Sequence, residues 1–368
     1  MSRLSESAED IAMVAATALL ALAAQKKFFP AKVPQIIPAH APEPKRDYSE
    51  RAAEPDRGRD STNPLQIPVR GWRDIFWRFY QRTGEDRLLA IAAGVVFYGL
   101  LAVFPTITAM VSLYGLFADP KTIGNNLQTL SVMLPDGSFQ IVQDQIGRVL
   151  SKGNAALGTT FLFGLALALW SANAGVKAII DALNVVYGET EKRGFFRLNA
   201  LSLLFTISAI AALLLMIGAV VALPIVLNNI WITEEGKALI GFLRWPVMLV
   251  LLLFALGLLY RFGPSRLGAR WEWLSVGTLV AALLWIAGSS LLSWYLSNFG
   301  NYDATYGSLG AAIGLMMWMW MSSIIVLCGA ELNSEIEHQT AVDTTVGARK
   351  PLGSRGAVMA DTVGAAQD

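Results

Sequence analysis

The sequence predicts an all-α polytopic membrane protein: a bundle of six transmembrane helices, with an outside helical hairpin between spans one and two. Three observations predict it. The 368 residues are 54% hydrophobic and only 15% charged, with a mean hydropathy of +0.47, whereas soluble domains carry roughly a quarter charged residues. Six apolar runs reach or approach the roughly 20 residues that cross a hydrocarbon core as a helix. The short loops after spans two and four are rich in Lys and Arg, and the loop after span five has neither. That alternation is the signature of a chain threaded through a bilayer.

The N-terminal region, residues 1–67, is expected to hold a short apolar helix and a disordered linker. Ile11 to Ala24 is apolar but too short to span. Ala21-Leu22-Ala23 resembles a signal-peptidase site, yet Glu6, Glu9 and Asp10 precede the segment where a signal peptide needs basic residues. A short peripheral helix is the favoured reading. Pro30 to Pro68 is rich in proline, alanine and mixed charge without hydrophobic periodicity, which predicts disorder.

Order is expected to resume at Gly71. Trp72, Ile75, Phe76 and Phe79 recur at helical spacing, with Arg73, Arg78 and Arg82 between them. An amphipathic helix of this kind suits an anionic membrane surface, and it equally suits docking on the protein's own cytoplasmic face.

The membrane domain, 68–338, carries spans at about 88–117, 157–183, 200–227, 243–262, 272–296 and 306–331. Backbone groups in lipid find partners within their own segment only as helix, and Pro105, Pro224, Gly257 and Gly288 are tolerated there as kinks or close contacts. Lys192, Arg193 and Arg197 follow span two. Arg261, Arg266 and Arg270 follow span four, and Arg78, Arg82 and Arg87 precede span one. Positive charge stays inside, so both termini are expected to be cytoplasmic. Trp245, Trp271, Trp273 and Trp294 near span ends agree with this, because indoles favour the interface. In the 118–156 loop, Ile123, Leu127, Leu130 and Leu134 form one stripe and Phe139, Val142, Ile146 and Val149 another, separated by the turn signal Pro135-Asp136-Gly137. These predict the outside hairpin. Residues 339–368 are expected to be a disordered tail.

Ionisable groups at membrane depth are expensive and invite functional readings. In span two, Asn173, Lys177, Asp181 and Asn184 follow i, i+4, i+8, i+11 spacing and form one polar stripe. They are candidates for a polar pathway, together with Glu331 and Asn333 at the end of span six. The alternative is interhelical hydrogen bonding with Lys177 snorkelling to the interface. Tyr302, Asp303 and Tyr306 form a candidate outer mouth, and Gly310 with Gly314 is a small-xxx-small packing pair.

Several chemistries are excluded by what is missing. The chain has no P-loop, no His-Glu-x-x-His and no Gly-x-Ser-x-Gly elbow. Its two histidines, His40 and His338, lie in polar flanking segments and cannot build a histidine-rich metal site. Cys328 is the only cysteine, so neither a disulfide within the chain nor a cysteine cluster is available. A net charge of +1 offers no basic face for nucleic acid. No catalytic, cofactor-binding or metal-binding residue is assigned, and no cofactor is expected.

From about residue 68 to 338 the chain resembles the YihY/BrkB family of bacterial inner-membrane proteins. Ala92-Ala93-Gly94-Val95-Val96-Phe97-Tyr98 with Phe104-Pro105 carries the resemblance in span one. Leu169-Trp170-Ser171, Ala182-Leu183-Asn184 and Tyr187-Gly188 carry it in span two, and Trp273, Gly277 and Trp285 in span five. The most specific stretches run from Ser297 to Gly310 and from Gly329 to Asn333. The resemblance implies a six-helix inner-membrane protein. The family's old labels are ribonuclease BN and a virulence factor linked to serum resistance. The ribonuclease label is disfavoured, because nucleases of that name are zinc enzymes with clustered histidines. Transport of a lipid or other amphiphile in envelope biogenesis is the leading expectation, and a non-catalytic scaffold is the alternative. The expected partners are membrane lipids, with a homo-oligomer or envelope proteins in addition and no nucleic acid.

Overall fold

In the computed structural model, residues 45–117, 154–217, 233–299 and 309–367 are described. The apolar runs form long helices: α3 (Leu88–Phe117), α4 (Asn154–Val186), α5 (Phe195–Ile217), α6 (Glu234–Phe262), α7 (Trp271–Phe299) and α8 (Leu309–Glu337). Two helices precede them, α1 (Lys45–Ala52) and α2 (Val69–Glu85), and the short α9 (Val358–Asp361) follows. The six long helices have 23 to 33 residues. At about 1.5 Å per residue each covers a hydrocarbon core about 30 Å thick. Segments of α4 to α8 are both long and apolar enough to cross a membrane, and α3 adds the shorter apolar stretch Leu88–Ala102 among its described side chains. An isolated bridge between Ala269 and Thr345 is the extended pairing among the described residues. The chain is therefore a helical, polytopic membrane protein. Ile11–Ala24, all of the expected hairpin at 118–156 except its last three residues (which begin α4), the end of the third span and the mouth residues Tyr302, Asp303 and Tyr306 lie outside the described residues.

The helices pair before they bundle. α3 packs along α4, and α7 along α8. Contact of α8 with α3 joins the pairs, while α5 lies against α4 and α6 against α7. Leu88, Leu183, Tyr260, Leu274, Leu327 and Met359 meet in the main core. Large apolar side chains such as Leu204, Phe242, Val247, Leu283 and Leu291 remain exposed along α5, α6 and α7, which is the surface a lipid solvent requires. Indole groups tie helices across this low-dielectric layer. Trp285 Nε1 donates to Ser322 Oγ at 3.0 Å, Trp318 Nε1 to Ser289 Oγ at 3.2 Å, and Trp320 Nε1 to the Leu89 carbonyl at 3.0 Å.

Among the described residues, Gly277 and Gly329 make a close helix crossing. A Cβ at Gly314 would meet Leu296 Cδ1 at 3.5 Å, an ordinary contact, and Gly310 is simply buried. At Gly277 on α7 a Cβ would collide with the Gly329 carbonyl and Asn333, and at Gly329 on α8 with the Tyr260 hydroxyl at 2.5 Å and Ala281 Cβ at 2.6 Å. Gly277→Ala is expected to force the helices apart and lower stability by about 1–3 kcal/mol. Thermal unfolding in detergent checks it, and an unchanged midpoint would show that the helices separate freely.

The two flanking regions depart from expectation. Residues 339–368 were expected to be disordered, but the described tail to residue 367 is packed onto the bundle. Arg270 N bonds to the Thr344 carbonyl at 2.9 Å and Val346 N to the Gly268 carbonyl at 3.0 Å. Arg355 donates to the carbonyls of Ala341, at 2.6 Å, and Ala360, at 2.5 Å. Ala357, Met359, Ala360 and Val363 are buried. From residue 45 onward the expected linker is ordered too. Arg59 is 3% exposed and reaches Glu54 at 2.6 Å, the Gln339 carbonyl at 3.0 Å and the Gly364 carbonyl at 2.7 Å. Neither segment has hydrophobic periodicity. Both are held by backbone groups bonded to buried arginines, an arrangement that leaves no periodic mark.

Candidate functional site

The last turns of α8 carry Glu331, Asn333, Ser334, Glu335 and Glu337, all buried. The helix runs six residues beyond the expected end of the span at Glu331, so these groups form a polar layer at one end of the bundle. Such a layer survives only where its charges are paired.

Glu335 is the centre of the pairing. Its Oε2 accepts from Arg78 Nε at 2.5 Å, and its Oε1 lies 2.9 Å from Arg82 Nε. Both arginines come from α2, four residues apart, and therefore share the face that docks on α8. Arg78 also donates to Gln339 Oε1 at 2.6 Å and to the Ala365 carbonyl at 2.9 Å. One guanidinium thus binds α2, the end of α8 and the tail together. Burial opposes the charge on Arg82, yet Glu335 and then Glu331 hold its pKa above the ordinary value.

A second pair lies beside the first. Arg266, from the loop between α6 and α7, donates to Glu337 Oε2 at 2.5 Å, with both side chains buried. The other carboxyl oxygen of Glu337 accepts from Thr344 Oγ1 at 2.6 Å. The Arg266 guanidinium stacks over the Tyr187 ring at 4.1 Å, which compensates nitrogens that find no hydrogen-bond partner among the described residues. Burial works against this charge too, but Glu337 leads the groups that raise its pKa.

His338 follows the last turn of α8. Placed by sequence in a polar flank, it is 8% exposed. Its Nδ1 is 3.7 Å from Glu335 Oε2, too far for a strong hydrogen bond. Burial pulls its pKa down to about 4, against the opposing pull of Glu335 and with the help of Arg82 and Arg78. Between pH 4 and its ordinary 6.5, the unfolded chain binds a proton there that the folded chain refuses. Stability therefore rises with pH across this window and is lost as pH falls through it, by on the order of 3 kcal/mol for this group. Unfolding midpoints of the wild type and His338→Gln at pH 7, 6, 5 and 4 check it. Parallel profiles would refute the assignment.

The expected pathway residues are not gathered into one path. Lys177 Nζ donates to Asn199 Oδ1 on α5 at 2.6 Å. Asn184 is buried, accepts from the Ser265 backbone N–H at 2.7 Å and donates to Glu191 at 3.2 Å. Asn333 Oδ1 accepts from the Gly277 N–H at 2.8 Å, in the close crossing of α7 and α8. These three hold the fold together. Asp181 is exposed, and Asn173 is half-buried with an Oδ1 that has no partner among the described residues. Glu331 is 0% exposed, accepts weakly from Ser334 Oγ at 3.5 Å, and leaves Oε2 without a hydrogen-bond partner. No hydrogen bond or ion pair among the described residues links the α4 stripe to Glu331. No group of three or more His, Cys, Asp or Glu side chains among the described residues is placed to hold a metal ion.

Sequence reasoning missed Glu335 and Glu337, and it read Arg78, Arg82 and Arg266 only as interfacial and loop charges, not as their partners. The available signal was a pair of carboxylates two residues apart at a span end, with arginines four apart in the helix before the first span.

Comparison with known proteins agrees with this architecture. The family model described as "Virulence factor BrkB" matches residues 79–352. A Bacillus subtilis protein named as ribonuclease-like, YfkH, is 29% identical over 267 residues, covering 71% of this chain and 93% of its own. A UPF0761 membrane protein of Psychromonas ingrahamii is 26% identical over 267 residues, covering 70% and 86%. One from Mannheimia succiniciproducens is 23% identical over 272 residues, covering 71% and 88%. No solved structure matches. The chain is a membrane protein of the BrkB family.

Proposed function

We propose that this protein moves a lipid or other amphiphile at the bacterial inner membrane in envelope biogenesis, with both termini cytoplasmic and Glu331 as the group that exchanges a proton. The observation that carries the reading is the Glu331 carboxyl: fully buried within a candidate span, with Oε2 unpartnered. A fully buried carboxyl oxygen without a hydrogen-bond partner at the end of a span is costly unless it works. Asp181, exposed on α4 in the field of Lys177 and Glu191, supports the reading as a second carboxylate open to exchange. The basic loops support the orientation, and no catalytic step is part of the proposal.

A scaffold reading has its own support, because Lys177, Asn184 and Asn333 are each consumed in packing bonds. The discriminating experiment is lipid movement in liposomes holding the purified protein. Transport predicts transfer above empty liposomes that falls at least tenfold in Glu331→Gln, with Asp181→Asn as the companion variant and unfolding midpoints as the control for folding. If folded wild-type protein transfers nothing, the scaffold reading stands, and its homo-oligomer or envelope partners are then sought by crosslinking.

A further inference from the structure

Helix α2 packs Ile75, Trp72 and Phe79 inward and still carries large apolar side chains on its outer face. Asp74, Ile75 and Arg78 face inward and are buried, while Val69, Phe76, Trp77 and Tyr80 are 52% to 86% exposed. At about 100° per residue, Val69, Arg73, Phe76 and Tyr80 fall within about 60° of one another, with Arg70 and Trp77 on one flank. A scattered exposed apolar residue needs no account, but Phe76, Trp77 and Tyr80 exposed together on one side of a helix do. Indole and phenol rings flanked by arginine have the composition of an interfacial helix. The ion pairs of Arg78 and Arg82 with Glu335 fasten α2 to the last turns of α8. That is the level at which a spanning helix leaves the hydrocarbon.

Beside this face lies a cavity of about 390 Å³ lined by Arg57, Arg70, Arg73, Asp74 and Gln367. Three arginines and one carboxylate, Asp74, line it. That carboxylate is already engaged: both Asp74 oxygens are 2.9 Å from Arg57 Nη1, and Oδ1 also accepts from the Gln367 N–H at 2.9 Å. Arg70 and Arg73 are exposed, and no ion pair to either occurs among the described residues. The cavity therefore offers unspent positive charge at the edge of an aromatic face.

We propose that the outer face of α2 lies in the membrane–water interface and that this cavity binds the phosphate of an anionic glycerophospholipid in the adjoining leaflet. The planar forks of Arg70 and Arg73 suit phosphate oxygens, with Arg57 held as a third cation by Asp74. A headgroup carrying its own quaternary ammonium would bring that cation against the arginines, so the site prefers an anionic lipid such as phosphatidylglycerol over phosphatidylcholine. The proposal is independent of transport.

The test uses the full chain in a neutral detergent, titrated with phosphatidylglycerol, phosphatidylcholine or inorganic phosphate, with the thermal unfolding midpoint as readout. Phosphatidylglycerol is expected to raise the midpoint saturably. Arg70→Ala/Arg73→Ala is expected to weaken its apparent affinity by about tenfold or more, with the lipid-free midpoint unchanged because both side chains are exposed. Should that variant misfold, Arg73→Gln alone carries the same expectation with a smaller loss. An equal rise with phosphatidylcholine, or an undiminished response in the folded variants, overturns the proposal. Inorganic phosphate reproducing the shift at the same concentration would also overturn it, by showing a site for free phosphate.

Discussion

Replacing Glu335 with alanine is expected to destabilise the protein by about 3–5 kcal/mol, the loss typical of breaking a buried ion pair from one side. Glu335 is 0% exposed, and its partners Arg78 and Arg82 have side-chain exposures of 6% and 16%. Removing the carboxylate takes away the one anion that pairs with both guanidinium groups. Glu335→Gln keeps part of the hydrogen bonding and is expected to fall between wild type and alanine. Replacing Glu335 and Arg78 together with methionine removes both members of one pair. Its loss is expected to be smaller than the sum of the single losses, since Arg78 is no longer stranded and only Arg82 loses its carboxylate partner. Thermal and denaturant unfolding in detergent measure these proteins together with the single variants Glu335→Met and Arg78→Met. A loss under about 1 kcal/mol for Glu335→Ala would mean that water reaches this layer and screens it, as at a surface pair.

Deleting residues 340–368 is expected to be at least as damaging. The tail buries Met359 against Leu183 and Tyr187 in the main core, and a fully buried side chain of this size contributes about 1.5–3 kcal/mol. It also supplies carbonyl acceptors from Gly364 to Arg59 and from Ala365 to Arg78. Each lost hydrogen bond to a charged group adds about 1.5–3 kcal/mol. The expected loss is on the order of 5 kcal/mol or more, seen as a lowered unfolding midpoint or as aggregation on extraction. A truncated protein that extracts and unfolds like wild type would mean that the tail merely rests on the bundle. Arg59→Ala tests the same contact with the chain length intact and is expected to fall short of the deletion.

The helices of the membrane domain were legible in the sequence because one local property decides them. A run of about twenty apolar residues has no option in lipid but helix, so Leu88–Phe117 and Trp271–Phe299 can be read from composition alone. The polar stripe on α4 was legible as a stripe, since spacing determines which residues share a face. Its use was not. Lys177 turns to Asn199 and Asn184 to Ser265, partners 22 and 81 residues away, while Asp181 is left exposed. The close crossing at Gly277 and Gly329 was likewise hidden, because a glycine's neighbour across a helix pair leaves no trace in its own segment.

The sequence by itself determined the solvent of this protein, where the long helices among the described residues lie and the residue types at their ends. The tertiary structure alone decided that α2 buries Arg78, turns Arg82 to Glu335 and exposes Phe76, Trp77 and Tyr80, and that the tail closes over His338. The physical reason is that apolar burial is non-directional and follows composition. Pairing a buried charge instead requires a particular partner at a particular distance. Arg78 meets Glu335 across 257 residues of chain, and no local pattern records that encounter.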